Sequence, residues 1–278
     1  MLLKTKPFLF RTLLNFTKKY STSIQEQVTK VNGQTINYVK TGQGNRNVLC
    51  FPGALGTIWS DFKPQINDLD KGKFTVIAWD PPGYGFSRPP ERNFCLEFYE
   101  NDADTAHDFM QHLGVKKFSL LGWSDGGISS MILAAKYPQS VEKLVIWGAN
   151  SYVIPDEIES YEKIRDISKW SDKMKAPLIK LYTEAGLQKM WNDWCDAVTE
   201  MYEKNHGNIC KEILDQIKCP TLILHGDKDP MVASEHPTYL ESHIAGARLY
   251  RFPDGKHNIH LRYAPEFNKI VTDFLTKP

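Results

Sequence analysis

Cysteine is scarce in this sequence, and the thiols that are present are not spaced for a metal site or a disulfide framework. The five cysteines are odd in number and form no C-x-x-C pair; they are Cys50, Cys95, Cys195, Cys210 and Cys219. Zinc sites and small disulfide-stabilised domains depend on such paired spacing. We therefore expect free, buried thiols in a reducing compartment.

Long apolar runs and a strong net charge are also missing. No stretch approaches the roughly 20 apolar residues that a membrane-spanning helix needs. The formal net charge is only +1, and bases near the N-terminus account for more than all of it. Because the rest of the chain is slightly acidic, we expect neither a membrane span nor a nucleic-acid partner.

The first 25 residues contain no acid. They mix leucine and phenylalanine with five bases, and hydroxyl residues become frequent before the first acid, Glu26. This composition is typical of a mitochondrial transit peptide, which we predict over 1–25. A secretory signal is less well supported, because Arg11 interrupts the apolar stretch. The alternative is a disordered basic tail on a cytoplasmic protein.

Downstream of this leader, short apolar runs alternate with helical stretches. The segment 28–39 predicts a hairpin with Asn32 and Gly33 at its turn. Six more strands are predicted at 47–51, 74–79, 118–123, 143–148, 221–226 and 247–252, and helices at about 94–113, 125–137, 232–243 and 263–275. The sequence therefore predicts an α/β domain over 26–278, with a mainly parallel eight-stranded sheet and helices on both faces.

The strand rhythm stops between Trp147 and Thr221. The intervening residues have a helical composition and carry three tryptophans, Trp170, Trp191 and Trp194. We predict a helical cap over about 152–207 that covers the mouth of the sheet. Its tryptophans either pack the cap onto the core or line a substrate site, and the sequence does not separate these two roles.

A serine between glycines follows the predicted strand at 118–123. The sequence Gly122-Trp123-Ser124-Asp125-Gly126 is a G-x-S-x-G element between a strand and a helix. In that context the turn is strained, the hydroxyl is exposed, and the helix N-terminus points at the reacting carbonyl. We therefore predict that Ser124 is a catalytic nucleophile.

A nucleophilic serine needs a base, and the base needs an orienting acid. In open α/β sheets such residues lie in loops at the carboxyl ends of strands. Asp229 follows the strand at 221–226 and is the predicted acid; Asp227 is closer to the strand and fits a turn-forming role. The loop after 143–148 offers only Asn150, which cannot serve as a charged acid.

His257 follows the last predicted strand and is the predicted base. It is preferred over His260, which falls where the next helix begins, and over His225, which ends a strand. The resulting order Ser, Asp, His is the order of the triad in α/β-hydrolases.

Two backbone N–H groups are needed to stabilise the oxyanion of an acyl-transfer intermediate. One is predicted to come from Asp125, the residue after the nucleophile. The other is predicted to come from the loop after strand 47–51, where Gly53 permits a close turn. Ala54 is the first choice for this donor and Leu55 the second.

The sequence resembles the α/β-hydrolase superfamily over roughly 28–278. Within it, the motifs GWSDGG, WDPPGYGFSRPP, VIWGAN, HGDKDP and GKHN resemble the valacyclovir hydrolase, or biphenyl hydrolase-like, family. The resemblance implies a sheet core with a helical cap and cleavage of α-amino acid esters. It assigns the triad to Ser124, Asp229 and His257, and recognition of the substrate amino group to Asp125. It also agrees with a mitochondrial location.

A carboxylate beside the nucleophile would disfavour the oxyanion unless the substrate supplies a cation. The ammonium of an α-amino acid ester lies one carbon from the scissile carbonyl, within reach of Asp125. The alternative is that Asp125 only stabilises a helix N-terminus, by about 0.3 to 1 kcal/mol. Trp123, on the other side of the nucleophile, is also predicted to contact the substrate.

Other functions on the same fold are a general carboxylesterase and a carbon-carbon bond hydrolase of aromatic ring-cleavage products. The latter substrates are anionic, so Asp125 argues against them. Dehalogenases and epoxide hydrolases usually place an aspartate where this chain has Ser124, and a catalytically silent binding protein would not need the complete Ser, Asp and His set. We expect a monomer that acts on a small amino acid ester and needs no cofactor or metal.

Overall fold

The computed structural model describes residues 24–277 and has one eight-stranded sheet. The strands are β1 (Gln27–Val31), β2 (Gln34–Thr41), β3 (Arg46–Phe51), β4 (Phe74–Trp79), β5 (Phe118–Trp123), β6 (Val141–Trp147), β7 (Thr221–Gly226) and β8 (Arg248–Phe252). Their order in the sheet is β1-β2-β4-β3-β5-β6-β7-β8. The β1–β2 and β2–β4 pairs are antiparallel, and the other five pairs are parallel. The predicted fold class is confirmed.

Ten α-helices lie within the described residues. They are α1 (Ile58–Asp61), α2 (Lys63–Asp68), α3 (Phe98–His112), α4 (Asp125–Lys136), α5 (Pro155–Lys163), α6 (Asp172–Tyr182), α7 (Glu184–Asn205), α8 (Glu235–His243), α9 (Ile259–Arg262) and α10 (Ala264–Thr276). Alternate residues of each central strand face opposite sides: Leu49 packs in the hydrophobic cluster with α3 and α4, and Val48 in the cluster with α2 and α10. Burial on both faces explains why these strands are apolar throughout.

Two differences from the predicted helices have simple local causes. The helix predicted from residue 94 begins at Phe98. The Phe94 ring precedes the helix and packs edge-on against the Phe98 ring. Helices α1, α2 and α9 were not predicted, since segments of four to six residues are too short to show a helical period.

Helices α5 to α7 form the cap, between β6 and β7. An isolated bridge between Tyr152 and Asn208 and a hydrogen bond from Val153 N to Gly207 O (2.7 Å) join the two chain segments at its base. Glu157 on α5 accepts from Ala233 N at 3.0 Å and so ties the cap to the loop that follows β7. These contacts hold the cap over the carboxyl ends of the strands. The boundaries of 152–207 stay a prediction.

The leader predicted over 1–25 lies outside the described residues except for its last two positions, and it stays a prediction. Over residues 24–277 no helix combines the length and the apolar character that crossing a membrane requires.

The loop after β4 is organised by the buried carboxylate of Asp80. One oxygen accepts from Ile58 N at the start of α1 (2.9 Å), and the other accepts from Phe86 N and Asn37 Nδ2 (both 2.9 Å). A Cβ atom on Gly85, whose φ is +49°, would collide with the same carboxylate. Asp80 therefore fixes the loop and the start of α1 together, next to the chain that carries the predicted oxyanion donors.

Replacing Asp80 with alanine should destabilise the protein by about 3 kcal/mol, because the Ile58 and Phe86 N–H groups lose their acceptor and the Asn37 amide loses one of its two. Urea denaturation monitored by tryptophan fluorescence measures this free energy of unfolding. The matched control is Asp70→Ala, which removes an exposed carboxylate whose partners are Gly72 N in a turn (2.9 Å) and the exposed Lys73 ammonium (3.5 Å). Equal losses in the two variants would contradict the role assigned to Asp80.

Candidate active site

Ser124 lies on the turn between β5 and α4, at the carboxyl edge of the parallel strands. Its φ of +54° and ψ of −123° are strained for a residue with a side chain. The turn is held because Ser124 N donates to Trp147 O on neighbouring β6 (3.0 Å). A Cβ atom on Gly122 would lie 2.5 Å from Ser130 Oγ, and one on Gly126 would collide with Phe51 O. Glycines therefore flank the serine because neighbouring chain passes too close for a side chain.

The loops after β7 and β8 bring Asp229 and His257 together. His257 Nδ1 lies 2.8 Å from Asp229 Oδ2, and the other carboxylate oxygen accepts from Met231 N (2.8 Å) and Val232 N (3.2 Å). The Asp229 side chain is 1% exposed and that of His257 is 18% exposed. The acid is thus fixed and dry, while the imidazole reaches the cavity that Ser124 also lines.

The pKa values of this pair are shifted in opposite directions. Burial alone would raise the pKa of Asp229, but the His257 imidazole and the Met231 N–H hold it below its usual value. Burial alone would lower the pKa of His257, but the charge and hydrogen bond of Asp229 hold it above its usual value, with Asp125 and Asp61 acting in the same direction. Asp229 is therefore suited to stabilising a protonated imidazole.

Space for this pair depends on Gly148, the residue after β6. Its φ is +54°, and a Cβ atom there would lie 2.9 Å from His257 Nδ1 and 3.5 Å from Asp229 Oδ2. This role was not visible in the sequence, where Gly148 is the last residue of a predicted strand. The space in which Asp229 and His257 pair is therefore set by Gly148, which follows a third strand, β6.

The alternative acids and bases lie elsewhere. Asp227 is half exposed and pairs with Arg251 at 2.8 Å. His260 is buried and accepts from Trp147 Nε1 (2.9 Å), and burial lowers its pKa to about 3. Burial also lowers the pKa of His225, at the end of β7. The preferences for Asp229 and His257 agree with this geometry, and their catalytic roles stay predictions.

The loop after β3 lies beside the serine. A Cβ atom on Gly53 would lie 3.2 Å from Ser124 Cβ, and Leu55 adopts a left-handed φ of +59°. Within residues 24–277, neither the Ala54 N–H nor the Asp125 N–H donates to a backbone carbonyl. Both groups thus have no backbone acceptor, and the oxyanion roles of Ala54, or Leu55, and of Asp125 stay predictions.

Asp61 was missed in the sequence, although it lines the same cavity. This carboxylate is 4% exposed and accepts from Gly53 N (3.0 Å) and from Ser60 Oγ (2.6 Å). Burial raises the pKa of Asp61 to about 7, against the effect of these hydrogen bonds. Its contact with Gly53 fixes the loop that carries Ala54. The only sequence signal was an acid eight residues after Gly53, in a segment with no predicted element.

The Asp125 carboxylate is buried beside the serine and bound by neutral donors. Its oxygens accept from Tyr99 OH (3.1 Å) and from Trp194 Nε1 on the cap (2.7 Å). Burial raises the pKa of Asp125 to about 6, although these hydrogen bonds and the charge of Arg92 act in the opposite direction. Arg92 itself binds Asp102 through both of its terminal nitrogens (2.6 and 2.7 Å). Asp125 is thus a buried anion with no directly bonded cation among the described residues.

Trp123 has two contacts at the site. Its indole N–H donates to the backbone carbonyl of His257 (2.9 Å), and its ring lines the cavity. It therefore supports the base and faces the cavity at the same time.

The cap tryptophans both pack within the cap and line the cavity, the two alternatives considered from the sequence. Trp191 stacks on Trp194 with ring centroids 4.6 Å apart, and Trp170 packs edge-on against Trp191 at 5.0 Å. All three are buried and also line the cavity. Packing the cap and walling the site are therefore performed by the same side chains.

Ser124, His257 and Asp125 line one cavity of about 600 Å³ between the sheet and the cap. Its floor is formed by buried residues that include Asp125, Tyr99, Tyr161 and Trp194. Its mouth is formed by exposed residues, among them Ser171, Lys173, Met174, Lys256 and Asn258. Over residues 24–277 no group of three or more histidine, cysteine or acidic side chains could hold a metal ion.

A serine on a strained strand-to-helix turn, at the carboxyl edge of this sheet and under a helical cap, defines the class of α/β-hydrolases. The family model described as alpha/beta hydrolase fold matches residues 46–181. The serine hydrolases BPHL of Mus musculus and of Homo sapiens are each 48% identical over 256 residues, covering 92% of this chain and 88% of theirs.

The chain therefore belongs to the α/β-hydrolase fold family and, within it, to the family of the serine hydrolase BPHL. It is a serine hydrolase, as its motifs indicated. Among solved structures, the meta-cleavage product hydrolase CumD from Pseudomonas fluorescens IP01 has a TM-score of 0.74 at 22% identity, covering 90% of this chain and 97% of that chain. At this identity the similarity shows the fold alone.

Replacing Gly148 with alanine should lower kcat/KM by about 10²-fold, because the added methyl group displaces the imidazole from Asp229. Hydrolysis of p-nitrophenyl acetate provides the measurement. The matched control is Gly246→Ala, since Gly246 also has a positive φ (+72°) but nothing within 4 Å of its Cβ position. If both variants lose activity equally, backbone strain rather than contact with His257 is the cause.

Proposed function

We propose that this enzyme cleaves α-amino acid esters through an acyl-enzyme, with Asp125 binding the substrate ammonium. The observation that carries the proposal is the buried carboxylate of Asp125 next to the nucleophile, which faces the cavity and bonds directly to no cation among residues 24–277. Burying a charge is costly unless a partner compensates it. An ammonium one carbon from the scissile carbonyl supplies that partner in the place where it is needed.

The reaction follows from the roles that the geometry supports. His257 takes the proton of Ser124 as the hydroxyl oxygen attacks the ester carbonyl, and Asp229 stabilises the imidazolium that forms. The Ala54 and Asp125 N–H groups donate to the oxyanion. His257 then protonates the leaving alcohol. Water, activated by the same imidazole, hydrolyses the acyl-enzyme and restores Ser124.

The charge of Asp125 makes the oxyanion harder to form when the substrate carries no cation. With an ammonium bound, its positive charge compensates the negative charge of Asp125. The penalty on the oxyanion therefore disappears for the intended substrate. Losing one partner of a buried charge pair typically costs about 2 to 5 kcal/mol. Asp125 therefore selects for amines both by attracting them and by disfavouring esters without them.

Two other activities remain as alternatives. A general carboxylesterase would use the same triad, and it is favoured by the hydrogen bonds of Tyr99 and Trp194, which already give each Asp125 oxygen one donor. The other alternative is a carbon-carbon bond hydrolase of aromatic ring-cleavage products, and the meta-cleavage product hydrolase CumD has the same fold as this chain. The anionic substrates of such a hydrolase are disfavoured by the buried Asp125 carboxylate in the cavity. Monomeric state and mitochondrial location are further parts of the proposal, the latter resting on the leader alone.

If Asp125 binds the substrate ammonium, removing its charge should lower kcat/KM mainly for substrates with a free amine. For Asp125→Asn, kcat/KM should fall by about 30-fold or more on a valine ester, and much less on the matched N-acetylvaline ester. Asparagine keeps an acceptor for Trp194, so the fold is preserved. The control variant is Asp193→Asn, a partly exposed cap acid that does not line the cavity.

Similar losses on both esters would overturn the ammonium role and leave a general esterase. Loss of activity in Ser124→Ala, and labelling of wild type by a serine-directed phosphonate, test the nucleophile separately. A protein that fails to react with the phosphonate would not be a serine hydrolase at this site.

The titration of Asp125 predicts a pH dependence that distinguishes the two esters. Protonation of this carboxyl below its pKa of about 6 removes the charge that binds the ammonium. The amine itself loses its proton above about pH 8. The ratio of kcat/KM for the valine ester to that for N-acetylvaline should therefore be highest between these values. Because both esters need neutral His257, its titration cancels in the ratio. A ratio that does not change with pH would contradict the prediction.

A further inference from the structure

The cavity carries opposite charge at its two ends. Its floor holds the buried carboxylates of Asp125 and Asp61, which are 8% and 4% exposed. Its mouth holds two lysines with exposed side chains, Lys173 on α6 of the cap and Lys256 beside the base. Every acid that lines the cavity is on the floor, and every base that lines it, apart from His257, is at the mouth.

Neither lysine at the mouth has an ion-pair partner within residues 24–277. The acids next to them in sequence are engaged with other bases. Asp172 lies 3.6 Å from Lys175, and Asp254 lies 2.5 Å from Lys228. The positive charge at the mouth is therefore available to a ligand.

The direction in which an ester must bind assigns each end of the cavity. The ammonium of the acyl portion is bound at Asp125 on the floor, so the leaving alcohol extends the other way. His257 must protonate the leaving oxygen, which places the alcohol on the His257 side. Lys256 precedes His257 directly, and Lys173 lines the same cavity from the cap. The leaving group thus leaves the site through the mouth that the two lysines line.

We propose that Lys173 and Lys256 recognise an anionic group on the leaving alcohol, so that the substrates are α-aminoacyl esters of phosphorylated alcohols. The inference rests on the proposed function for the orientation of the ester. A phosphate monoester carries about −1.5 to −2 charge near neutral pH, and lysine binds phosphate as a compact point charge. A carboxylate shares this chemistry with a smaller charge. In the reaction, the acyl C–O bond breaks, water supplies the new acyl oxygen and the proton, and the phosphate ester bond stays intact.

The complementary charges of enzyme and substrate also affect the rate of encounter. A substrate with an ammonium at one end and a phosphate at the other is a dipole that matches the cavity. Positive charge at the mouth of a cleft raises the on-rate of an anionic ligand, and this effect weakens as ionic strength rises. Salt should therefore reduce the preference for a phosphorylated leaving group, while hydrolysis of a neutral ester changes less.

The experiment compares three alcohols in the full-length enzyme: 2-hydroxyethyl phosphate, 3-hydroxypropionate and ethylene glycol. Each is esterified to valine and to N-acetylvaline, and uncatalysed hydrolysis is subtracted. The quantity compared is the kcat/KM ratio of the anionic ester to the glycol ester. The variants are Lys173→Ala, Lys256→Ala and the double variant, with Lys173→Arg to retain the charge. Lys180→Ala is the control, on the same helix but outside the cavity.

Wild type should favour the phosphate ester over the glycol ester by about tenfold at low salt, with each exposed lysine contributing about two- to fivefold. The ratio should fall towards one in the double variant, remain in Lys173→Arg and Lys180→Ala, and be smaller for the carboxylate. A wild-type ratio at or below one, or a ratio that survives in the double variant, overturns the proposal. A carboxylate ester equal to the phosphate ester overturns the choice of phosphate.

The two acyl groups separate this inference from the proposed function. If valine and N-acetylvaline esters react alike but the phosphate preference follows the lysines, the ammonium role of Asp125 fails and recognition at the mouth stands. If valine is preferred through Asp125 but the phosphate makes no difference, the proposed function stands and recognition at the mouth fails.

Discussion

The strained backbone at Ser124 is the constraint on which the rest of the site depends. A side chain at a φ of +54° is tolerated only where the surrounding structure fixes it. Here the bond from Ser124 N to Trp147 O, the parallel pairing of β5 with β6, and the close passage of Phe51 at Gly126 together fix the turn. The buried sheet is therefore what makes an exposed serine hydroxyl possible.

The fold could be predicted because its strands are apolar on both faces and are bounded by turn residues. The order of Ser124, Asp229 and His257 along the chain was equally visible, since each follows a strand. Contacts between distant side chains were not visible. Nothing in the sequence indicated that Asp61 binds Gly53, or that Tyr99 and Trp194 bind Asp125, because these pairs meet only after the sheet and cap have packed. Such contacts join elements that are far apart in the sequence, and no local pattern of residues indicates them.

The cap contributes to the site through individual hydrogen bonds as well as by covering it. Tyr182 on α6 donates to Leu55 O (3.1 Å) in the loop with the predicted oxyanion donors, and accepts from Gly85 N (2.8 Å) in the loop ordered by Asp80. Glu157 on α5 binds the loop that carries Asp229. A movement of the cap would therefore displace the loop with the predicted oxyanion donors through Tyr182, and the loop that carries Asp229 through Glu157.

The bond between Trp194 and Asp125 bears on how enzymes of this fold acquire new substrates. The cap is one continuous insertion, and recombination could exchange it between relatives at the base formed by Tyr152 and Asn208. The proposed catalytic residues would all remain in the core. The proposed amine site would not, because Trp194, one of the two side chains that donate to Asp125, belongs to the exchanged segment. A chimaera would thus inherit the chemistry of one parent and would need a matching indole donor from the other to keep its selectivity.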